Sequence, residues 1–283
     1  IAQDFADVVL VGGMEHMTRV PIGEPLIDRG AIMPNMTMFL DPKYQHWDMM
    51  TAMNMGLTAE KLFAQTDYTR EDMDKWGVRS QQRAAKAQKA GFFEGEIVPI
   101  EAEQADGSTM TVDKDQAIRA DTTLEGIASL KPVFKKDGVI TAGTSSPLNA
   151  AATSMVLMSK ETAKKKGIKP LATIRSIGFA GVDPTIMGHG PVPASRKALD
   201  KAGLKASDID YWEINEAFCI VALNCIKELG LDPDRVNVMG GGTAIGHPLG
   251  ATGIRLTGTL ARILEEKGGR YGCANACVGG GQG

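Results

Sequence analysis

From Val236 the chain reads Val-Asn-Val-Met-Gly-Gly-Gly-Thr-Ala-Ile-Gly-His-Pro-Leu-Gly-Ala-Thr-Gly, with five glycines among the eleven residues from Gly240 to Gly250. Glycine loses more backbone entropy on folding than any other residue and adds nothing to a core. A stretch like this is therefore kept where the backbone must bend sharply or approach something closely. A short apolar run, Val236–Met239, enters the bend as a strand, and an amphipathic pattern over Thr252–Lys267 leaves it as a helix closed by Gly268. His247 stands inside the bend, just ahead of that helix. Exposed amide N–H groups and the positive end of a helix dipole favour a neutral imidazole, fit to act as base or hydrogen-bond donor. A loop histidine held by a backbone carbonyl is the plainer alternative, and this stretch alone leaves both open.

The same rhythm runs through the rest of the C-terminal part. Strand Ala172–Ile177, helix Pro193–Ala202 ended by Gly203, strand Tyr211–Ile214 and helix Ala217–Leu229 ended by Gly230 precede the bend, and strand Gly272–Val278 follows it. Alternation at this spacing implies a layered α/β arrangement. Val8–Gly13, Val236–Gly241 and Ala274–Gly280 each carry a strand into a glycine pair, a faint mark of internal duplication.

Toward the N-terminus, Val8–Val11 before Gly12-Gly13, and later Ala152–Ser159, read as strands buried on both faces. Thr18–Met53 is long, irregular and rich in Pro, Gly and Met, as in a lid, binding loop or oligomer contact. Helices follow at Thr58–Ala64 and from Thr69, capped with Asp72, to Gly91; Glu96–Glu103 and Thr109–Val112 form a hairpin around Ala105-Asp106-Gly107. The polar, separately organised region 18–137 reads as an inserted subdomain, and Val139–Ala142 returns the chain to the core. Lys164-Lys165-Lys166 reads as the solvated end of a helix. The opening Ile-Ala-Gln-Asp-Phe-Ala-Asp resembles the end of a helix without an initiator methionine, and the chain closes on Gly279-Gly280-Gly281-Gln282-Gly283, so it reads as an interior stretch of a longer polypeptide.

A length of 283 residues suits one large or two medium domains, and 43% hydrophobic residues, 23% charged residues and a net charge of −3 describe an ordinary soluble protein. Nothing here attracts nucleic acid or an anionic membrane, and no apolar run reaches the ~18 residues of a membrane helix. Cys219, Cys225, Cys273 and Cys277 form no C-x-x-C pair, which disfavours a disulfide scaffold or a zinc ribbon and fits a reducing compartment. Nucleotide motifs fail: Ile245 stands where G-x-G-x-x-G needs its third glycine, and His247 stands where a P-loop needs lysine. His247 with Cys219, Cys273 or Cys277 lacks any metal-ligand spacing, so no metal is expected.

What remains is three turns at successive strand ends: Asn215-Glu216-Ala217-Phe218, Gly246-His247-Pro248 and Cys277-Val278-Gly279. In layered α/β proteins such turns can converge on one crevice. In this order and spacing they resemble the thiolase family. So do Gly12-Gly13-Met14-Glu15-His16-Met17, Asn54-Met55-Gly56-Leu57-Thr58-Ala59-Glu60, Thr141-Ala142-Gly143-Thr144-Ser145-Ser146 and Met187-Gly188-His189-Gly190-Pro191-Val192-Pro193-Ala194. The likeness covers essentially the whole chain and is strongest to degradative 3-ketoacyl-CoA thiolases.

The resemblance implies an α/β thiolase fold, five-layered αβαβα with two similar halves, the first half truncated, plus an inserted loop domain. Residues 1–17 would be a remnant of the N-terminal half, 18–137 the loop domain, 138–167 the end of the N-terminal half and 168–283 the C-terminal half. The implied enzyme is an acyltransferase cleaving 3-ketoacyl-CoA with coenzyme A to acetyl-CoA and a shortened acyl-CoA in fatty acid β-oxidation. Acetoacetyl-CoA thiolase and an inactive acyl-CoA-binding homologue are the alternatives; ketoacyl synthases share the fold but lack the Cys277-x-Gly279 turn. Coenzyme A would be a substrate, with no permanent cofactor. A homodimer or tetramer, association with a multifunctional β-oxidation partner and a cytoplasmic or organelle-matrix location are further expectations.

By the same resemblance, His247 would promote ionisation of a nucleophilic cysteine and donate to the thioester oxygen. A water held by Asn215 would complete the oxyanion hole for the enolate. Cys277 would move the α-proton, its thiol, unperturbed at ~8.5, tuned towards working pH. The Gly279 amide would stabilise the tetrahedral intermediate, and the glycines around His247 would let the backbone approach a thioester. Arg119 and Ser146 would surround the nucleotide and pantetheine, with Phe134, Met55, Met187 and Phe218 as apolar walls. Without the likeness, Asn215 reads as a helix cap, Cys277 as a small buried hydrophobe and Gly279 as a turn. None of the four cysteines holds the acyl-accepting position, which the resemblance puts ahead of Ile1, and it puts a closing strand after Gly283. Asn54 stands where biosynthetic thiolases carry histidine, and Ala150 where an aspartate is common.

Overall fold

The computed structural model describes residues 1, 5–17 and 42–283. In chain order the elements are β1 (Val8–His16), α1 (Met49–Met53), α2 (Met55–Phe63), α3 (Arg70–Lys89), β2 (Ile100–Glu103), β3 (Thr109–Val112), α4 (Leu124–Ala128), β4 (Ala150–Met158), α5 (Lys160–Lys165), α6 (Pro191–Ala202), β5 (Tyr211–Ile214), α7 (Cys219–Leu229), α8 (Gly242–Ile245), α9 (Leu249–Lys267) and β6 (Gly272–Asn275). Helix ends follow local chemistry. Thr69 and Asp72 form a reciprocal capping box at the start of α3, and Gly203, Gly230 and Gly268 close α6, α7 and α9 in the left-handed conformation.

Strands β1 and β4 pair antiparallel from Val8 opposite Met158 to His16 opposite Ala150, β2 and β3 form the expected hairpin, and β5 runs parallel to β6. The β1–β4 pair lies against the start of α9. A Cβ on Gly13 would fall 1.9 Å from the Gly250 carbonyl oxygen, and the Thr153 hydroxyl donates to the Ala251 carbonyl at 2.9 Å. Only glycine permits this approach. Residues 219–226 of α7 are all buried, and all but Asn224 are apolar, because that part of the helix is enclosed on every side. It packs with Leu62, Met73, Trp76, Trp212 and Ile214 in the larger core; a smaller one gathers Phe92, Phe93, Met239, Ile245 and Ile263.

Several expectations are corrected. Val236–Met239 is not a strand: Val236 makes one bridge to Trp212, and Asn237 then turns left-handed at φ 47°. The Asn237 carboxamide takes the place of a ladder, accepting from Ile214 N at 2.8 Å and donating to Ile214 O at 2.9 Å. Val8–Val11 and Ala152–Ser159 are not buried on both faces. Both β1 and β4 alternate, one face resting on α9 and the other open, with Leu10 73% exposed. Ala172–Ile177 has no ladder, because no strand lies beside it among the described residues, and Ile174 and Ile177 are exposed. The last strand stops at Asn275, whereas Val139–Ala142 does return to the core, with Ile140 and Thr141 fully buried. Of Thr18–Met53, residues 18–41 lie outside the described residues, and the remainder holds a 3-10 turn at Pro42–Trp47 and then α1. Lys164, Lys165 and Lys166 are exposed at the end of α5.

Candidate active site

The parallel pairing of β5 and β6 brings two of the three turns side by side. The ladder extends one residue past β5, Asn215 N donating to Asn275 O at 2.9 Å, and Cys277 follows two residues later. The Asn215 side chain is 0% exposed, and neither its Oδ1 nor its Nδ2 has a protein partner. A carboxamide buried this way needs a partner the polypeptide does not supply, such as a water or a ligand oxygen. As a helix cap it would be satisfied, and it is not.

His247 follows α8 and Gly246 and is largely buried. Its Nδ1 lies 2.7 Å from the Thr252 hydroxyl, which donates its own proton to Pro248 O at 2.8 Å. Thr252 can therefore only accept from the imidazole, which fixes the tautomer with the proton on Nδ1 and a lone pair on Nε2. Burial, and then the positive charge of Arg255, lower the imidazole pKa to about 4. The ring is a neutral base. It becomes a donor through Nε2 only after taking a proton, so donation to an oxyanion has to follow deprotonation of the nucleophile.

Cys277 is 6% exposed, and burial pushes its thiol up to about 12. This corrects the expected tuning towards neutrality: an apolar wall disfavours the thiolate, so the resting group is the acid. Met187 and Phe218 are buried in the cluster containing Cys277, with Met55 and Phe134 packed against it. Phe134 meets Phe218 edge-to-face at 5.8 Å, and Met55 Sδ would lie 3.5 Å from a Cβ on Gly279. Ser146 joins through its amide, donating to Ala217 O at 3.0 Å. Arg119 stands apart: it is exposed, and its main-chain N–H donates to Gln81 Oε1 at 2.8 Å.

The glycines of the bend face protein. Side chains at Gly240, Gly241, Gly246 and Gly250 would collide respectively with α3, with the Glu216 carboxylate, with Asn149 and with Met14 O, and Gly242 lies against the Glu216 main chain. The expected approach to a thioester is thus replaced by tight packing of the bend on its own neighbours. Sequence reasoning also passed over Glu216, the second residue of Asn-Glu-Ala-Phe, and Thr252, five residues after His247. The first is a carboxylate inside an apolar turn; the second could be noticed only once the helix register was known. Among the described residues no group of three or more His, Cys, Asp or Glu could hold a metal ion, and no helix is long and apolar enough to cross a membrane.

Residues 1–161 match the family described as thiolase, N-terminal domain, and residues 168–283 match thiolase, C-terminal domain. The chain is 45% identical over 281 residues to a 3-ketoacyl-CoA thiolase of Marinobacter nauticus, covering 98% of this chain and 69% of that protein. It is 45% identical over 280 residues to an acetyl-CoA acetyltransferase of Chromobacterium violaceum, covering 98% and 71%. The solved structure of human mitochondrial 3-ketoacyl-CoA thiolase in complex with CoA superposes with a TM-score of 0.82 at 40% identity, over 99% of this chain and 70% of that one. With both family domains matched across its length, the chain has the thiolase fold and belongs to the thiolase family of acyltransferases.

Proposed function

We propose that this chain supplies the oxyanion and acid/base groups of a thiolase that cleaves 3-ketoacyl-CoA with coenzyme A. The observation that carries this reading is the fully buried, unpartnered Asn215 carboxamide, on the turn whose Asn215 N–H pairs with Asn275, two residues ahead of Cys277. His247 Nε2 takes the proton of the acyl-accepting cysteine, which the family pattern places ahead of Ile1. The resulting thiolate attacks the 3-keto carbon, and the bond between C2 and C3 breaks. The enolate oxygen left on the acetyl-CoA half is held by His247, now protonated, and by a water on Asn215. Cys277 gives its proton to C2, releasing acetyl-CoA, and the thiol of coenzyme A takes the acyl group from the enzyme. The Gly279 amide faces the tetrahedral centre, Ser146 and the aromatic pair Phe134 and Phe218 receive the pantetheine, and Arg119 receives the nucleotide.

Preference for longer 3-ketoacyl chains over acetoacetyl is favoured by Asn54. Its carboxamide accepts from Leu57 N at 3.2 Å as the cap of α2, so it offers no imidazole to a short polar substrate. Rates on acetoacetyl-CoA against medium-chain 3-ketoacyl-CoA separate the two. The site itself is tested by enolisation, which needs no nucleophile: the 283-residue chain should exchange the methyl protons of acetyl-CoA with D2O. Coenzyme A binding without exchange would reduce the chain to a binding homologue. The residues encoded ahead of Ile1 should include a cysteine about one helix upstream, and their failure to do so would have the same consequence.

A further inference from the structure

Glu216 is the one ionisable member of the Asn-Glu-Ala-Phe turn, and the proposed chemistry gives it no task. Its side chain is 0% exposed. Oε1 accepts from Trp76 Nε1 at 2.8 Å and Asn237 Nδ2 at 2.7 Å; Oε2 accepts from Ser80 Oγ at 2.7 Å and Thr243 N at 3.1 Å. Ser80 Oγ in turn accepts from Gly241 N at 2.9 Å, so its proton points to Glu216. All four partners are donors, and only an ionised carboxylate satisfies them together. A buried charge held by neutral donors is an expensive way to fill space, and apolar side chains of the same volume would stabilise the fold at least as well. The arrangement yields something else: fixed positions for whatever is attached to the donors.

The carboxylate and one of its donors both lead into the site. Asn215 is the residue before Glu216. Thr243 is the second residue of α8, whose turns, Ile245 N to Gly241 O and Gly246 N to Gly242 O, lead directly to His247. Gly241 and Gly242 leave room for this contact, since a Cβ on Gly241 would lie 2.3 Å from the Glu216 carboxyl carbon and one on Gly242 3.0 Å from its carbonyl oxygen. Trp76 and Ser80 come from α3, in the inserted region. We propose that Glu216 is a positioning residue that locks the Asn215 turn and the His247 bend to α3, so that the two halves of the oxyanion hole keep one mutual geometry. This rests on the thiolase reading for its chemistry, but not for its structural test.

Glu216→Gln keeps the shape and sets an amide N–H against a donor. In the full chain it should lower acetyl-CoA proton exchange about 100-fold, the cost of a small misplacement. The Kd for coenzyme A should stay within about twofold, because the Glu216 carboxylate is bonded to Trp76, Asn237, Ser80 and Thr243 and to none of the residues proposed to receive coenzyme A. The 15N spectrum of the His247 ring, a single Nδ1–H tautomer in the wild type, should split or shift. Ser80→Ala, which leaves the carboxylate and removes one link, should shift the same signal less and retain the fold by circular dichroism. If Glu216→Gln does not fold, Ser80→Ala decides alone. An unchanged His247 spectrum in these variants, or equal losses of exchange and coenzyme A affinity, would overturn the proposal. Absence of exchange in the wild type would instead sink the thiolase reading, and the His247 spectrum would still decide the positioning role.

Discussion

The Cα of Gly246 faces the carboxamide of Asn149 so closely that a Cβ would stand 2.0 Å from Asn149 Nδ2. Gly246 also has φ 111°, a conformation that L side chains rarely adopt. The residue before the imidazole is therefore fixed twice, by its own backbone and by the turn after Ser146.

Gly246→Ala should accordingly cost about 2 kcal/mol or more, read as a lower urea midpoint, with strain and overpacking both contributing. Asn149→Ala in the same chain should return only the overpacking share. Complete recovery would show that the backbone at 246 is unstrained.

The His247 imidazole is held at a pKa of about 4 against an ordinary 6.5. Between these values the unfolded chain binds a proton that the folded chain refuses, so the contribution to stability is complete above 6.5 and is lost as the pH falls towards 4. The stability difference between wild type and His247→Asn should shrink by on the order of 3 kcal/mol from pH 7 to 4. A difference independent of pH would mean that the ring titrates in the folded protein as it does in the unfolded chain. Arg255→Gln removes the second cause of the shift and should move the window upward.

The α-helices were legible because their signals are local: Thr69 and Asp72 cap α3, and Gly203, Gly230 and Gly268 stop three others. The strands were less so. Val236–Met239 has a strand's composition, but the Asn237 side chain supplies the hydrogen bonds that a ladder would have made, and no pattern of apolar residues announces that. The five glycines marked the right place for the wrong reason. Each abuts protein, and a sequence shows that a backbone must approach something without showing what. Glu216 escaped notice for the same cause, its four donors coming from positions 76, 80, 237 and 243.

The Cys277 thiol, raised to about 12 by burial, sets the pH dependence of enolisation. Below that value the thiolate fraction grows tenfold per pH unit, so exchange of acetyl-CoA protons should climb about tenfold per unit between pH 7 and 9. Cys277→Ala should remove exchange. In a protein that includes the acyl-accepting cysteine, it should leave acyl-enzyme formation detectable by mass spectrometry. Equal loss of both would contradict the assigned role.

Glu213 provides the last test, because its effect runs opposite to that of His247. It is 1% exposed with both carboxyl oxygens unpartnered, and burial raises its pKa from 4.5 to about 8 against the attraction of Arg255. In that interval the folded chain keeps a proton that the unfolded chain has released, so the contribution is complete below 4.5 and is lost as the pH rises towards 8. Glu213→Gln cannot ionise and should escape this loss. Its urea midpoint, compared with wild type, should therefore improve from pH 5 to pH 9. Arg255→Met withdraws the one attraction that favours the carboxylate and should carry the loss to higher pH. If wild type instead gains on Glu213→Gln as the pH rises, Glu213 is ionised in the fold and paired with Arg255, whose Nη1 and Nη2 are likewise buried without a partner.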